Sequence, residues 1–88
     1  MSNTRVWTVE IVFTEEGDTT RADAMLETGA ARYHGWGQAQ RNPADEDVPR
    51  IGTEIAAARA LEDLVRSLLK EAEGDIAEHT GEHIRVHP

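Results

Sequence analysis

The chain of 88 residues contains no cysteine. Disulfides, thiolate metal sites and a cysteine nucleophile are therefore excluded. Serine is nearly as scarce, with only Ser2 and Ser67. Ser67 lies in a helical pattern, without the strand–turn–helix elbow that exposes a nucleophilic serine. The aromatics are Trp7, Phe13, Tyr33 and Trp36. Basic residues are few, 9 against 17 acidic ones, for a net charge of -8. The deficit is greatest over residues 42–82, which hold eleven acids and four bases. Like-charge repulsion then opposes binding to a phosphate backbone or an anionic membrane surface. No apolar run approaches transmembrane length, and Met1–Arg5 has no apolar signal core. These absences lead us to expect a soluble cytoplasmic protein with no membrane partner. A chain this short forms one domain and buries only somewhat over ~60 % of its unfolded surface. Self-association is a common way to stabilise such a domain.

What is present is strong periodicity. Residues 5–14 alternate, with Trp7, Val9, Ile11 and Phe13 on one face and Val6, Thr8, Glu10, Val12 and Thr14 on the other; β-branched and aromatic types agree with a strand. Glu15-Glu16-Gly17-Asp18 is turn chemistry. Residues 19–28 alternate again, with Ala22, Ala24 and Leu26 opposite Arg21, Asp23, Met25 and Glu27, which predicts a hairpin. After a turn at Thr28-Gly29, residues 31–41 form a third strand. One face carries Tyr33, Gly35, Gly37, Ala39 and Arg41, and the other Arg32, His34, Trp36, Gln38 and Gln40. Glycine weakens a strand unless another backbone comes close. Gly35, Gly37 and Ala39 on one face therefore suggest either a tightly packed helix or two β-bulges.

Pro43 and Pro49 bracket a loop with Asp45, Glu46 and Asp47, where negative charge suits a following helix N-terminus. Ile51, Ile55, Ala58, Leu61, Val65, Leu68, Ala72 and Ile76 recur at spacings of three or four, with Leu64 and Leu69 widening the stripe. This predicts an amphipathic helix over 50–79, with Gly81 as its cap. His83–His87 alternates as an extended tail or short extra strand. The fold class expected is α+β in a single domain, a three-stranded antiparallel sheet with one long C-terminal helix on one face. The other face keeps Val6, Val12, Met25, His34 and Trp36 for a partner. A half-apolar free face or an edge strand predicts self-association, so a homodimer is expected.

Chemistry-bearing residues do not converge. His79, His83 and His87 are spaced by four, but Gly81 and Pro88 disfavour a continuous helix. On a strand His83 and His87 would be ~13 Å apart, too far for one metal ion. The acidic pairs Glu62-Asp63, Glu71/Glu73 and Asp45–Asp47 read as solvated charge rather than a catalytic pocket. Gly35-Trp36-Gly37 lacks the remaining glycine and lysine of phosphate-binding loops and lies inside a strand. The expectation is no enzyme and no cofactor. Trp36, near Arg21 and Arg32, is the leading functional residue. It either packs on a partner or stacks a nucleobase.

Trp7–Ile11, Gly35–Ala39, Arg41–Pro49 and the run from Ile51 through Leu61 together resemble a family of small bacterial proteins of unknown function grouped with double-stranded-RNA-binding-domain-like folds. The resemblance spans about residues 5–87, and Arg41-Asn42-Pro43-Ala44-Asp45 is its most specific part. It implies an α+β sandwich, commonly dimeric, similar in shape to ribosome hibernation-promoting factors, with no catalytic residues. Double-stranded-RNA-binding domains place lysines on the phosphates at the start of their second helix. This chain has Asp45, Glu46 and Asp47 there. The expected function is a non-enzymatic dimer acting on an unidentified protein partner, connected with stress or dormancy. The alternative is a ribosome- or RNA-associated factor contacting RNA through Trp36, Arg32 and Arg41.

Overall fold

The computed structural model describes residues 2–41 and 49–80. Three strands, β1 (Val9–Glu16), β2 (Thr19–Glu27) and β3 (Arg32–Gln40), are followed by one helix, α1 (Pro49–Thr80). The sheet is antiparallel in the order β1-β2-β3. This is the α+β, β-β-β-α architecture expected from the periodicity. The Asp45–Asp47 loop, the Gly81 cap, the 83–87 tail with His83 and His87, and the side chain of His79 lie outside what is described.

β1 starts later and ends later than its sequence pattern, which began at Arg5 and gave Glu15 and Glu16 to the turn. Both glutamates instead pair, with Glu15 opposite Thr20 and Glu16 opposite Thr19. The turn is only Gly17-Asp18. Gly17 has φ 60, and no other described residue has positive φ. Positive φ at the first central position alone is the type II′ hairpin turn, which suits glycine there. Between β2 and β3 the chain turns through Thr28–Ala31. The Thr28 hydroxyl accepts from the backbone N–H of Ala30 at 3.2 Å and of Ala31 at 3.1 Å, closing the loop locally.

β3 pairs with β2 without interruption from Arg32↔Glu27 to Gln40↔Thr19, so no bulge accompanies its glycines. They are where α1 rests. A Cβ on Gly35 would collide with the backbone of Ala60 and Leu64, and one on Gly37 would lie 2.6 Å from Ala60 N. Among the described residues the buried core is Ala22, Ala24, Leu26, Ala39, Ala56, Ala60 and Leu64, with Ile11, Tyr33 and Leu68 packed at its margin. Small side chains meet small side chains, so the helix backbone lies close on the sheet. Leu26 and Leu64 are the core's large side chains, worth about 1.5–3 kcal/mol each on burial.

The helix orientation corrects the sequence reading. Ala56, Ala60 and Leu64, four residues apart, face the sheet. Of the large-residue stripe, Leu68 packs against the core, whereas Ile51, Ile55, Ala58, Leu61 and Val65 are exposed. Ile51 retains 51 % of its accessible surface and Val65 42 %. The physical reason is space. The helix backbone at Arg59–Ala60 and Leu64 lies directly on Gly35 and Gly37, so Ala56 and Ala60 with Leu64 form the buried face and the other large residues of the stripe's first half turn outward. Gly74 does not interrupt α1, which continues to Thr80.

Candidate functional site

The sheet face away from the helix carries an ordered polar cluster. Asp23 is directly opposite Trp36, while Arg21 and His34 each sit one pair along on the neighbouring strand's diagonal. Arg21 donates to the Asp23 carboxylate through Nη2 at 3.0 Å and Nε at 3.1 Å. His34 Nε2 lies 2.8 Å from Asp23 Oδ1. The Arg21 guanidinium carbon lies 4.5 Å from the centroid of the Trp36 ring, within cation–π range. The Arg21 hydrogen bond, and after it that of His34, holds the Asp23 carboxyl below the usual carboxylate range. The same bond to Asp23 raises Arg21 further above its already high value.

Each residue expected on the partner face can now be placed. Trp36 is 45 % exposed on the outer face, with Arg21 over its ring. His34 is exposed and tied to Asp23. Met25 pairs with His34 on one side and Glu10 on the other. Val12 pairs with Asp23, and both valine and methionine are exposed. Val6 precedes β1 and is almost wholly exposed. With Trp7, Met25 and Arg32 it borders a shallow concavity of about 470 Å³ at one end of the sheet.

The three residues of the RNA alternative do not converge. Arg32 and Arg41 lie at opposite ends of β3, roughly 30 Å apart along an extended strand. Arg32 lies 3.5 Å from Glu27, and Arg41 bonds Asp18 at 2.7 Å. The cation that meets Trp36 is Arg21, itself bridged to Asp23.

A second arrangement was hidden in the sequence. Asp63, expected to be solvated, accepts the backbone N–H of Trp36 at 2.9 Å. One turn away, Arg59 Nη1 donates to the Gln38 carbonyl at 2.7 Å, and the Ser67 hydroxyl lies 3.4 Å from the His34 carbonyl and 3.3 Å from the Asp63 carbonyl of its own helix, with one proton to share between them. Residues 59, 63 and 67 share one helix flank by their spacing of four. That spacing is the signal available in the sequence, but nothing in the pattern says which sheet edge the flank meets. The flank closes the outer edge of β3, whose backbone groups would otherwise be open to another chain. Arg66 adds exposed pairs to Glu62 at 3.7 Å and Asp63 at 3.9 Å.

Among the described residues no group of three or more His, Cys, Asp or Glu side chains could hold a metal ion, and no helix is long and apolar enough to cross a membrane.

Residues 5–85 match the family described as Rv2632c-like. An uncharacterised protein of Mycobacterium bovis is 42 % identical over 80 residues, covering 91 % of this chain and 85 % of that one. The uncharacterised protein Rv2632c of Mycobacterium tuberculosis is 39 % identical over 72 residues, covering 82 % and 77 %. The crystal structure of Rv2632c superposes with a TM-score of 0.84 at 34 % identity, over 92 % of this chain and 96 % of that one.

Proposed function

The chain belongs to the Rv2632c-like family of small proteins, and from that premise we propose that it is a non-enzymatic, homodimeric cytoplasmic protein that acts through protein–protein contacts. The observation that supports this is the inverted distribution of apolar side chains. Alanine dominates the interior, with Leu26 and Leu64 its only large members among the described residues, while Val12, Met25, Trp36, Ile51, Ile55 and Val65 remain on the surface. Removing such surface from water contributes about 25 cal/mol per Å², and patches of this kind mark interaction sites. The Arg21–Asp23–His34 cluster beside Trp36 gives the outer face a polar pattern that a partner must match. A role in stress or dormancy rests on the resemblance to hibernation-promoting factors alone, an analogy of fold.

One observation favours the second reading, an RNA- or ribosome-associated factor. Trp36 is exposed with a cation, Arg21, beside its ring, and an exposed aromatic next to an arginine is the combination single-strand binders use. Against it stands the pairing of each relevant arginine with a carboxylate, Arg21 with Asp23, Arg32 with Glu27 and Arg41 with Asp18. Sedimentation of ribosomes from lysate separates the two. The protein is expected to be absent from ribosomal fractions even at low salt. Salt-sensitive co-sedimentation, lost on Trp36→Ala without loss of self-association, would instead establish the RNA reading.

A further inference from the structure

The two edges of the sheet are treated differently. The β3 edge is closed by Arg59, Asp63 and Ser67. Among the described residues nothing caps the outer edge of β1. That strand is eight residues long, pairs with β2 without a bulge, and contains no proline or lysine. These are the devices that normally blunt an edge. Its charges are Glu10 and the Glu15-Glu16 pair at the turn end, which leaves Ile11–Thr14 uncharged.

Its open backbone groups can be identified. In a two-residue hairpin the flanking pair exchanges both backbone bonds, and the exchange alternates along the ladder. Glu16 and Thr19 flank the Gly17-Asp18 turn, so Glu16, Thr14, Val12 and Glu10 bond to β2. Val9, Ile11 and Phe13 therefore direct their N–H and C=O groups outward. The other side of the sheet agrees. β2 then turns its even-numbered backbone groups to β3, which leaves His34, Trp36 and Gln38 facing out, and these are the groups that α1 closes.

The same three residues carry side chains on the helix side of the sheet, opposite Leu26, Ala24 and Ala22. Val9 and Phe13 are exposed there, with Phe13 at 41 %, because α1 lies over β3 and β2. We infer that the β1 edge pairs antiparallel with β1 of a second copy, about a two-fold axis at Ile11, to make one continuous six-stranded sheet. This deepens the homodimer proposed above and rests on it.

Charge and the apolar row together select the register, and the row's self-complementarity points to a second copy as the occupant. With the axis at Ile11, Val9 meets the partner's Phe13, Ile11 meets the partner's Ile11, and Glu10 meets the partner's Val12. Moving the axis to residue 10 sets Glu10 against the partner's Glu10. Moving it to residue 13 sets Glu10 against the partner's Glu16, and moving it to residue 12 sets Val9 against the partner's Glu15, which breaks the apolar row. Like charges directly opposite each other destabilise a strand pair. The strand is thus complementary to itself in the register that also joins its apolar row.

The test is site-resolved amide hydrogen exchange on the full chain across protein concentration, beside sedimentation of the same samples. The Val9, Ile11 and Phe13 amides are expected to slow at least about tenfold as the dimer forms, by mass action. The Glu10, Val12 and Thr14 amides, bonded to β2, should be protected at every concentration. Ile11→Pro removes an outward donor and trims a side chain at the core margin; it should weaken association at least about tenfold while leaving the β2 amides protected. Val12→Pro should break the β1–β2 ladder itself. A dimer whose Val9, Ile11 and Phe13 amides exchange like free ones would overturn the edge pairing and leave self-association standing. A monomer at hundreds of micromolar would overturn both.

Discussion

At the scale of single residues, Gly35 and Gly37 carry the fold. Each holds a place where a methyl group would meet helix backbone rather than a movable side chain. Relief would require the helix to lift from the sheet, so Gly35→Ala is expected to destabilise by about 1–3 kcal/mol or more. Urea unfolding checks this through a lowered midpoint at unchanged slope. Gly29→Ala is the control, since a Cβ there meets nothing within 4 Å and should move the midpoint little. An unchanged midpoint for Gly35→Ala would mean that α1 does not rest where it is described. Asp23 shows the other side of residue-scale reading. Its face was evident from alternation, but its place between Arg21, His34 and Trp36 depends on strand register. Register fixes which diagonal neighbours meet, and alternation within one strand cannot supply it.

At the scale of elements, the three strands and the helix were legible because period 2 and period 3.6 are strong signals over eight or more residues. The helix start at Pro49 and the seat at Gly35 and Gly37 were legible for the same reason: proline and glycine each have few structural uses. The helix's rotation was not legible. Its large apolar residues form the conspicuous stripe, and the stripe was read as the packing face. The structure packs Ala56 and Ala60 together with Leu64 and Leu68 of that stripe, because the helix backbone rests on Gly35 and Gly37, and leaves the rest of the stripe's first half exposed. A paired substitution tests this. Val65→Lys should change subunit folding stability by no more than about 0.5 kcal/mol, as for a surface site. Ala60→Leu should cost about 1–3 kcal/mol or prevent folding, through overpacking. The reverse order, read from denaturant midpoints at concentrations where the chain is monomeric, would restore the stripe as the packing face. The β3 edge was illegible for a related reason. Arg59, Asp63 and Ser67 are ordinary polar residues in sequence, and become edge caps only when the helix lies along that strand.

At the scale of the whole molecule, the interior is small and the surface is rich in large apolar groups. Leu26 and Leu64 are buried, while Ile51, Ile55, Leu61 and Val65 on the helix and Val9 and Phe13 on β1 are exposed on the same side of the sheet. A net charge of -8 favours solubility and opposes polyanion binding, but it does not cover such a surface. A stable homodimer covers about 800 Å² per partner, and the exposed row of β1 together with its open backbone edge supplies an apolar, self-complementary place to begin. The family match locates the chain among relatives of the same fold. The most direct test is sedimentation equilibrium of the wild-type chain from the low micromolar range to hundreds of micromolar. A reversible monomer–dimer equilibrium with twice the chain mass at the upper end is expected, and a chain that sediments as a monomer throughout would contradict the homodimer.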